Sequence, residues 1–509
     1  MSGIVAGYGN PKLTDIKKMQ KIAKHRGKYN SGIFQKGKVI LAQNYFEADK
    51  GEKTDWEIPV FIPDDKDTRI CYDGQIGNHE ILAEQFGIFD GPYREERLLI
   101  SLYKKYLNRV LVEYLKDAIF AFIISDGEKF LAARDVLGIK TLFYGYSEDQ
   151  KTIYFSSELK SLLEVTKNVY EFPPGHYIDQ NGQFKRFAQL PRMVTGNLEE
   201  QKSKNIANHL AKIVRRNIQH RLDLTYKTGC LLSGGLDSSI IATLFNQYNQ
   251  QINGPKAQIK TFALGVGENE DLKYARIMSK FLNSEHYELK INTEDIIEVL
   301  PKVVYHLESF DPSLVRSSAS NYLIAHHANK QGIQVLLSGE GGDELFCGYD
   351  HFKETCDQAI FKEQKECLRA LHNNAALRLD RMNACHSIKV IAPFISEELL
   401  NFSMEIPIEY KLKQTEEEQI EKWILRKAFE KDLPGEIAWR TKQEFSKGSG
   451  AADVLKKYFD KIISNGEFKE GKKKYPLIRN KEEYYYFKLF IDYFGMGKSL
   501  DTVGQWDRT

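Results

Sequence analysis

Seven consecutive residues, Ser233-Gly234-Gly235-Leu236-Asp237-Ser238-Ser239, combine hydroxyl donors, two glycines and one carboxylate in a spacing suited to holding phosphate. Gly229-Cys230-Leu231-Leu232 before them reads as a short buried strand, and Ile240-Ile241-Ala242-Thr243-Leu244-Phe245 after them as the apolar side of a helix. The loop then lies at a helix N-terminus, where backbone N–H groups outside the helical ladder and the positive end of the dipole face an anion. Asp237 would repel phosphate unless a cation lay between them, which makes it a candidate Mg2+ ligand. The chemistry favoured is attack on ATP at the junction of its α and β phosphates. A Ser/Gly cluster is more often only a turn, but strand, loop and helix in this order argue for the cradle. Gly497-Lys498-Ser499 resembles the end of a different phosphate loop. Asp492 stands where that motif needs its upstream glycine, so the stretch is expected at the surface.

A second chemical group, Glu340, lies in a glycine-rich turn directly after the apolar run 335–337, where α/β sheets gather their active sites. Ile206, Leu210, Ile213, Val214 and Ile218 recur at helical spacing, and helices then alternate with apolar runs such as 260–264. That is the pattern of an α/β nucleotide domain. The first 190 or so residues differ. Short β-rich runs at 2–8, 39–43, 70–76, 119–125, 130–133, 142–145 and 153–156 are punctuated by the turn pairs Asp73-Gly74, Asp126-Gly127 and Asn181-Gly182, predicting packed antiparallel sheets. The boundary is expected near residue 195, giving domains 1–195 and 196–509.

Lys+Arg 72 against Asp+Glu 70 leaves a net charge of +2, so composition implies no face for nucleic acid, and Lys472-Lys473-Lys474 reads as a solvated loop. The longest apolar run, 118–124, is far short of the roughly 20 residues that cross a bilayer. Asn10, Lys12 and Asp15 interrupt the N-terminal stretch where a secretory signal needs an apolar core. The six cysteines contain no Cys-x-x-Cys pair, which argues against a zinc site and for reduced thiols in a cytoplasmic protein. His79, His306 and His386 are isolated and read as structural. Tyr484-Tyr485-Tyr486-Phe487 reads as helix packing.

Beyond the loop, Phe262-Ala263-Leu264-Gly265, Glu308-Ser309-Phe310-Asp311 with Arg316-Ser317, Ser338-Gly339-Glu340-Gly341-Gly342-Asp343-Glu344 with Gly348-Tyr349, and 439–446 (Trp-Arg-Thr-Lys-Gln-Glu-Phe-Ser) follow in turn. In the first half come Arg134-Asp135-Val136-Leu137-Gly138-Ile139-Lys140 and Ser156-Ser157-Glu158-Leu159-Lys160. Together these resemble the class B, usually glutamine-dependent, asparagine synthetase family over nearly the whole chain. The resemblance implies an N-terminal-nucleophile (Ntn) αββα sandwich followed by a pyrophosphatase-loop α/β synthetase domain. It implies ATP and Mg2+, the metal held by Asp237 and Asp343. Leu231, Ser233, Gly234, Gly235, Ser238, Ser239, Leu264, Ser338 and Gly339 would frame the nucleotide. Glu340 would deprotonate the nitrogen nucleophile, with Lys442 and Tyr349 at the adenylation step, and Glu308, Asp311 and Arg316 would meet the amino-acid acceptor. Homodimers are common in the resembled family.

The first half departs from the family. Its catalytic cysteine aligns with Ser2, an arginine for the glutamine carboxylate with Tyr45, the Asn-Gly oxyanion hole with Asp73-Gly74, and an acidic residue with Gln75. The family's Arg-His-Arg-Gly-Pro-Asp turn survives as His25-Arg26-Gly27-Lys28-Tyr29. An ionised Asp73 places like charge where an oxyanion develops. The expectation is an AMP-forming ligase that amidates aspartate or a related carboxylate with free ammonia, its glutaminase inactive. Three alternatives stand beside it: activation of an amide such as asparagine to a nitrile, ring or amide formation with an amine in specialised metabolism, and a nucleotide-binding regulator.

Overall fold

The computed structural model describes residues 2–28, 30–46, 57–88, 91–115, 117–191, 203–355, 357–416, 418–440 and 451–504. Lys442, Tyr29 and the 441–446 part of the last motif lie outside the described residues. The chain forms two compact units. The first comprises Met1–Leu190 with Ala384–Lys389 and Phe494–Val503, and the second comprises Pro191–Asn383, Val390–Tyr493 and Gly504–Thr509.

The first unit contains two six-stranded sheets. One uses β1 (Gly3–Tyr8), β2 (Asn30–Lys36), β3 (Val39–Tyr45), β8 (Phe143–Tyr146), β9 (Ile153–Ser156) and β10 (Val169–Glu171) in the order β10-β8-β9-β1-β3-β2. The other orders β12 (Lys185–Arg186), β11 (His176–Asp179), β7 (Phe130–Arg134), β6 (Ala118–Ser125), β5 (Asp65–Ile76) and β4 (Val60–Ile62). Alternation along the strands builds the layers. Ile4, Ala6, Val39 and Leu41 of one sheet pack with Cys71, Ala121 and Ile123 of the other. The intervening Val5, Ile40 and Ala42 face the Leu13–Ile22 and Leu159–Leu163 helices. Phe120, Phe122 and Ile124 turn to the Arg94–Tyr106 helix. The result is an αββα sandwich of the Ntn type.

Three local expectations are corrected. Asp73-Gly74 is not a turn: both residues lie inside β5, registered against Ala121 and Phe120, because continuous pairing with β6 overrides the dipeptide's turn preference. Lys472-Lys473-Lys474 closes the Asn465–Lys474 helix instead of lying in a loop, where the lysines complement the helix C-terminal dipole. In the 497–499 stretch Gly497 and Lys498 are exposed as expected, but Ser499 is buried, with its hydroxyl donating to Gly495 O at 3.1 Å.

In the second unit β13 (Thr228–Leu231), β14 (Lys260–Val266), β15 (Glu285–Ile291), β16 (Val335–Leu337) and β17 (Lys389–Ile391) order as β15-β14-β13-β16-β17. β13 pairs in parallel with both β14 and β16. The chain leaves β13 toward β14 and later returns to β13's other side. The carboxyl ends of β13 and β16 therefore flank a topological switch point, where such sheets leave a crevice. The Lys481–Phe494 helix buries Tyr486, Phe487 and Phe490. Among the described residues no helix is long and apolar enough to cross a membrane.

Candidate active site

The β13–β16 register, with Cys230 opposite Leu337, brings the loops after Leu231 and Leu337 out side by side. Between them lies a cavity of about 200 Å³ within the second unit. Leu231, Phe262, Ala263, Leu264 and Ile324 give it an apolar wall, while Asp237, Glu340, Asp343, Arg378, Lys422 and Arg440 charge the rest. The 233–239 loop is held by its own serines. Ser238 Oγ accepts from Ser233 N–H at 3.2 Å, and Ser233 Oγ accepts from Gly235 N–H at 3.3 Å. Gly234 has φ +69°, and a Cβ there would come 2.4 Å from the backbone carbon of Tyr274, so no other residue fits. The Leu236–Asn253 helix then starts directly from the loop.

One cation fastens the two loops together. Lys422 Nζ contacts Asp237 Oδ2 and lies 2.5 Å from Asp343 Oδ1. Burial alone would lower the pKa of this lysine, but Asp237 and Asp343 hold it above the usual lysine range. Gly348 permits the approach, since a Cβ there would fall 2.1 Å from both Asp343 Oδ1 and Lys422 Cε. Glu340 is similarly paired with Arg378. Arg440 donates to Asp271 at 2.9 Å and stacks on the Tyr274 ring at 4.0 Å.

Of the residues expected at the nucleotide and metal, Leu231, Ser233, Gly235, Asp237, Ser238, Leu264, Ser338, Gly339 and Asp343 line the cavity, as does Glu340, the expected base. Gly234 and Ser239 sit in the loop and first helical turn beside it without lining it. Tyr349 also stands outside the lining; its hydroxyl donates to Glu344 Oε1 at 2.6 Å. Burial first, then Asp343 and Glu340, push the Glu344 carboxyl up to about 7. The acceptor residues form separate ion pairs: Glu308 with Arg381 at 2.8 Å, Asp311 with Arg479 at 2.8 Å, and Arg316 with Glu482 at 3.6 Å. Asp311 also caps the Pro312–Lys330 helix through Leu314 N–H. Sequence reasoning missed Lys422 and Arg378, and gave Arg440, inside the 439–446 motif, no role. Lys422 is 185 residues from Asp237 and belongs to no motif, so only the fold reveals it.

In the first unit two of the departures, Ser2 and Asp73, meet at one buried network. Arg26 donates to Ser2 O at 3.1 Å, to Asp73 Oδ2 at 3.1 Å and to Glu158 Oε1 at 3.2 Å. Lys140 Nζ lies 3.3 Å from Asp73 Oδ1, His25 Nε2 lies 2.9 Å from Glu158, and Lys160 also pairs with Glu158. Burial would raise the Asp73 pKa, but Lys140 and Arg26 hold the carboxyl below the usual range. Ser2 is buried, its Oγ accepting a long bond from Phe46 N–H at 3.4 Å. Tyr45 donates to Glu96 at 2.8 Å, and burial pushes the Glu96 carboxyl up to about 7. Gly74 and Gln75 remain in β5, half-buried.

A Ser/Gly-rich loop at the switch point of a parallel sheet, with two carboxylates converging beside it, is the setting of an α/β enzyme site, and an Ntn-type sandwich precedes it in the chain. Comparison with known proteins makes this specific. The asparagine synthase family matches residues 209–366 and 357–488, and the glutamine amidotransferase domain matches residues 1–200. Asparagine synthetase [glutamine-hydrolyzing] 1 of Arabidopsis thaliana is 30% identical over 534 residues, covering 99% of this chain and 88% of the relative. The asparagine synthetase [glutamine-hydrolyzing] of Sandersonia aurantiaca is 30% identical over 520 residues, covering 97% and 96%. Asparagine synthetase [glutamine-hydrolyzing] 2 of Arabidopsis thaliana is 29% identical over 524 residues, covering 99% and 89%. The chain belongs to the asparagine synthetase family and is an ATP-dependent carbon–nitrogen ligase.

Proposed function

We propose that this ligase adenylates the carboxylate of a small amino acid, with L-aspartate the leading acceptor, and that free ammonia supplies the nitrogen without glutamine hydrolysis. The observation that carries the nitrogen-donor reading is the locked position of Asp73. Its carboxylate stands where the family resemblance puts an oxyanion-hole donor, and Arg26 and Lys140 keep it ionised. An anion there opposes the tetrahedral intermediate of amide hydrolysis. Ser2 adds a second impediment, since a hydroxyl is a weak nucleophile unless a base activates it.

In the synthetase half the apolar wall of Leu231, Phe262 and Leu264 suits a planar base, and the loop N–H groups with Ser233 and Ser238 suit pyrophosphate. Asp237 and Asp343 fit Mg2+: both are hard oxygen donors, and both already meet at a single cationic nitrogen, that of Lys422. Bound there, Mg2+ would neutralise the charge that builds as the carboxylate attacks the α-phosphorus and pyrophosphate leaves. Lys422 then shares or yields its place and offers its ammonium to the departing phosphates. Glu340, released from Arg378, takes a proton from the attacking nitrogen. We assign Lys442 to the charged adenylation step and Tyr349 to positioning through Glu344. Glu308, Asp311 and Arg316 are assigned to the acceptor side.

The test is product mass spectrometry with Mg-ATP and aspartate, supplying ¹⁵N-ammonium or amide-¹⁵N-glutamine separately. Labelled asparagine from ammonium alone is expected. Label from glutamine, abolished by Ser2→Ala, would overturn the nitrogen-donor reading. AMP formed from asparagine alone, with a product lighter by one water, would replace amidation with nitrile formation.

A further inference from the structure

We propose that His351, Glu363 and Cys367 form a second metal site, built for a borderline cation of the zinc class and distinct from the Asp237/Asp343 pair. The three ligand atoms lie within 4.8 Å of one another. His351 Nε2 is 3.3 Å from Glu363 Oε1 and 3.9 Å from Cys367 Sγ. With zinc bonds of about 2.0 Å to nitrogen, 2.1 Å to oxygen and 2.3 Å to sulfur, tetrahedral edges come to roughly 3.4 Å for N···O and 3.5 Å for N···S. The first edge is already at its bound length, the N···S edge must shorten by about 0.4 Å, and the Glu363 oxygen and Cys367 Sγ lie within 4.8 Å against a bound edge of roughly 3.6 Å.

Local structure prepares this arrangement. Glu363 and Cys367 are four residues apart on the Asp357–Ala370 helix and so share a face. His351 comes from the Asp350–Phe352 turn, where its ring lies near-parallel to Tyr349, at 16°, and packs on Phe352 with centroids 4.6 Å apart. Cys367 is buried against Cys347, Phe352, Ile360 and Leu412, which give the site a dry wall. The His351 and Glu363 side chains keep 30% and 20% exposure, leaving the fourth position open to water. A thiolate, an imidazole and a carboxylate in one tetrahedral half-shell suit zinc, whereas Mg2+ prefers an all-oxygen octahedron. The two anionic ligands balance a divalent charge, and the Cys367 thiol releases its proton on binding. Cysteine spacing alone argued against zinc because it searches for paired cysteines, and here the ligands are mixed.

The test is Co2+ titration of the full chain after removal of metals by a chelator. The expected result is a near-ultraviolet thiolate-to-cobalt charge-transfer band with the intense visible bands of four-coordinate cobalt, both displaced by zinc. Cys367→Ser should abolish the charge-transfer band, and Glu363→Gln should weaken Co2+ binding by at least about tenfold. Asp237→Asn should leave the band intact. Absence of the band in the unsubstituted chain, or its persistence in Cys367→Ser, overturns the proposal. Should Cys367→Ser lose its native far-ultraviolet circular dichroism, His351→Gln, at a half-exposed position, replaces it. Co2+ affinity unchanged in that variant also overturns the site.

Discussion

Each unit gathers carboxylates around cations, but the two clusters differ in what can reach them. In the first, Arg26, Asp73 and Glu158 are 0%, 3% and 0% exposed, and each acid is held by at least two cations. In the second, Asp237, Asp343 and Glu340 line a cavity, their side chains 17–25% exposed, and each is held by a lysine or arginine that also lines it. Ion pairs facing a cavity can exchange partners with a polyphosphate and its cation. Pairs sealed in a core cannot, because every exchange leaves a charge without compensation in a low-dielectric surround. On the function proposed above, the same kind of ion pair would serve turnover in the second unit and stability in the first.

The sharpest way to break this contrast is to neutralise one acid of the open cluster. Asp237→Asn keeps the shape and a neutral acceptor, so the fold should persist. ATP-driven AMP formation should fall by about 10³-fold, or about 4 kcal/mol of barrier, measured by AMP release under saturating ammonium. Activity within tenfold of the parent would show that Asp237 does not carry the reaction.

The sealed cluster should respond in stability. Arg26→Met removes the cation shared by Asp73 and Glu158 and leaves both buried near the remaining lysines. We expect a loss of about 3 kcal/mol in chemical denaturation, with the transition of the first unit affected. A loss below about 1 kcal/mol would mean that water reaches this network.

How far the sequence foretold these clusters follows from the range of the interactions. Strand alternation and the strand–loop–helix pattern are local, so the sandwich layers and the setting of Ser233–Asp237 between strand and helix were readable. The ties that give each cluster its character are not local. Arg26 reaches Asp73 across 47 positions and Glu158 across 132, and Lys422 reaches Asp237 across 185. Asp73-Gly74 misled for a related reason, since its turn chemistry is a two-residue signal while its strand conformation comes from pairing with β6. His351, Glu363 and Cys367 escaped because a turn, not a motif, delivers the histidine.

A pH titration sharpens the comparison with a smaller effect. Glu344 beside the open cluster and Glu96 in the first unit each accept a tyrosine hydroxyl, and each is pushed up to about 7 from an ordinary 4.5. Between those values the folded chain binds more protons than the unfolded one, so stability falls as pH rises from about 4.5 to about 7. Glu344→Gln or Glu96→Gln should each flatten that slope, by an amount on the order of 2 kcal/mol across the window, in denaturation series at fixed ionic strength. Asp343 and Glu340 contribute to the Glu344 shift, so Mg-ATP should weaken the Glu344 part and leave the Glu96 part unmoved. An equal response of both parts to Mg-ATP would contradict the separation of an exchanging cluster from a sealed one.

The smallest expected effect is the most telling for the first unit. Ser2→Cys supplies the stronger nucleophile that the family resemblance expects, and it changes one atom at a buried position. If a weak nucleophile were the whole defect, glutamate release from glutamine should appear. With Asp73 still ionised between Arg26 and Lys140, a developing oxyanion meets a fixed negative charge, so release should stay at background and ammonium-dependent activity should not change. Glutamine turnover above background in Ser2→Cys would locate the defect in the nucleophile alone. Silence in both the parent chain and Ser2→Cys would place the barrier in the charge of the pocket, where one thiol does not repair it.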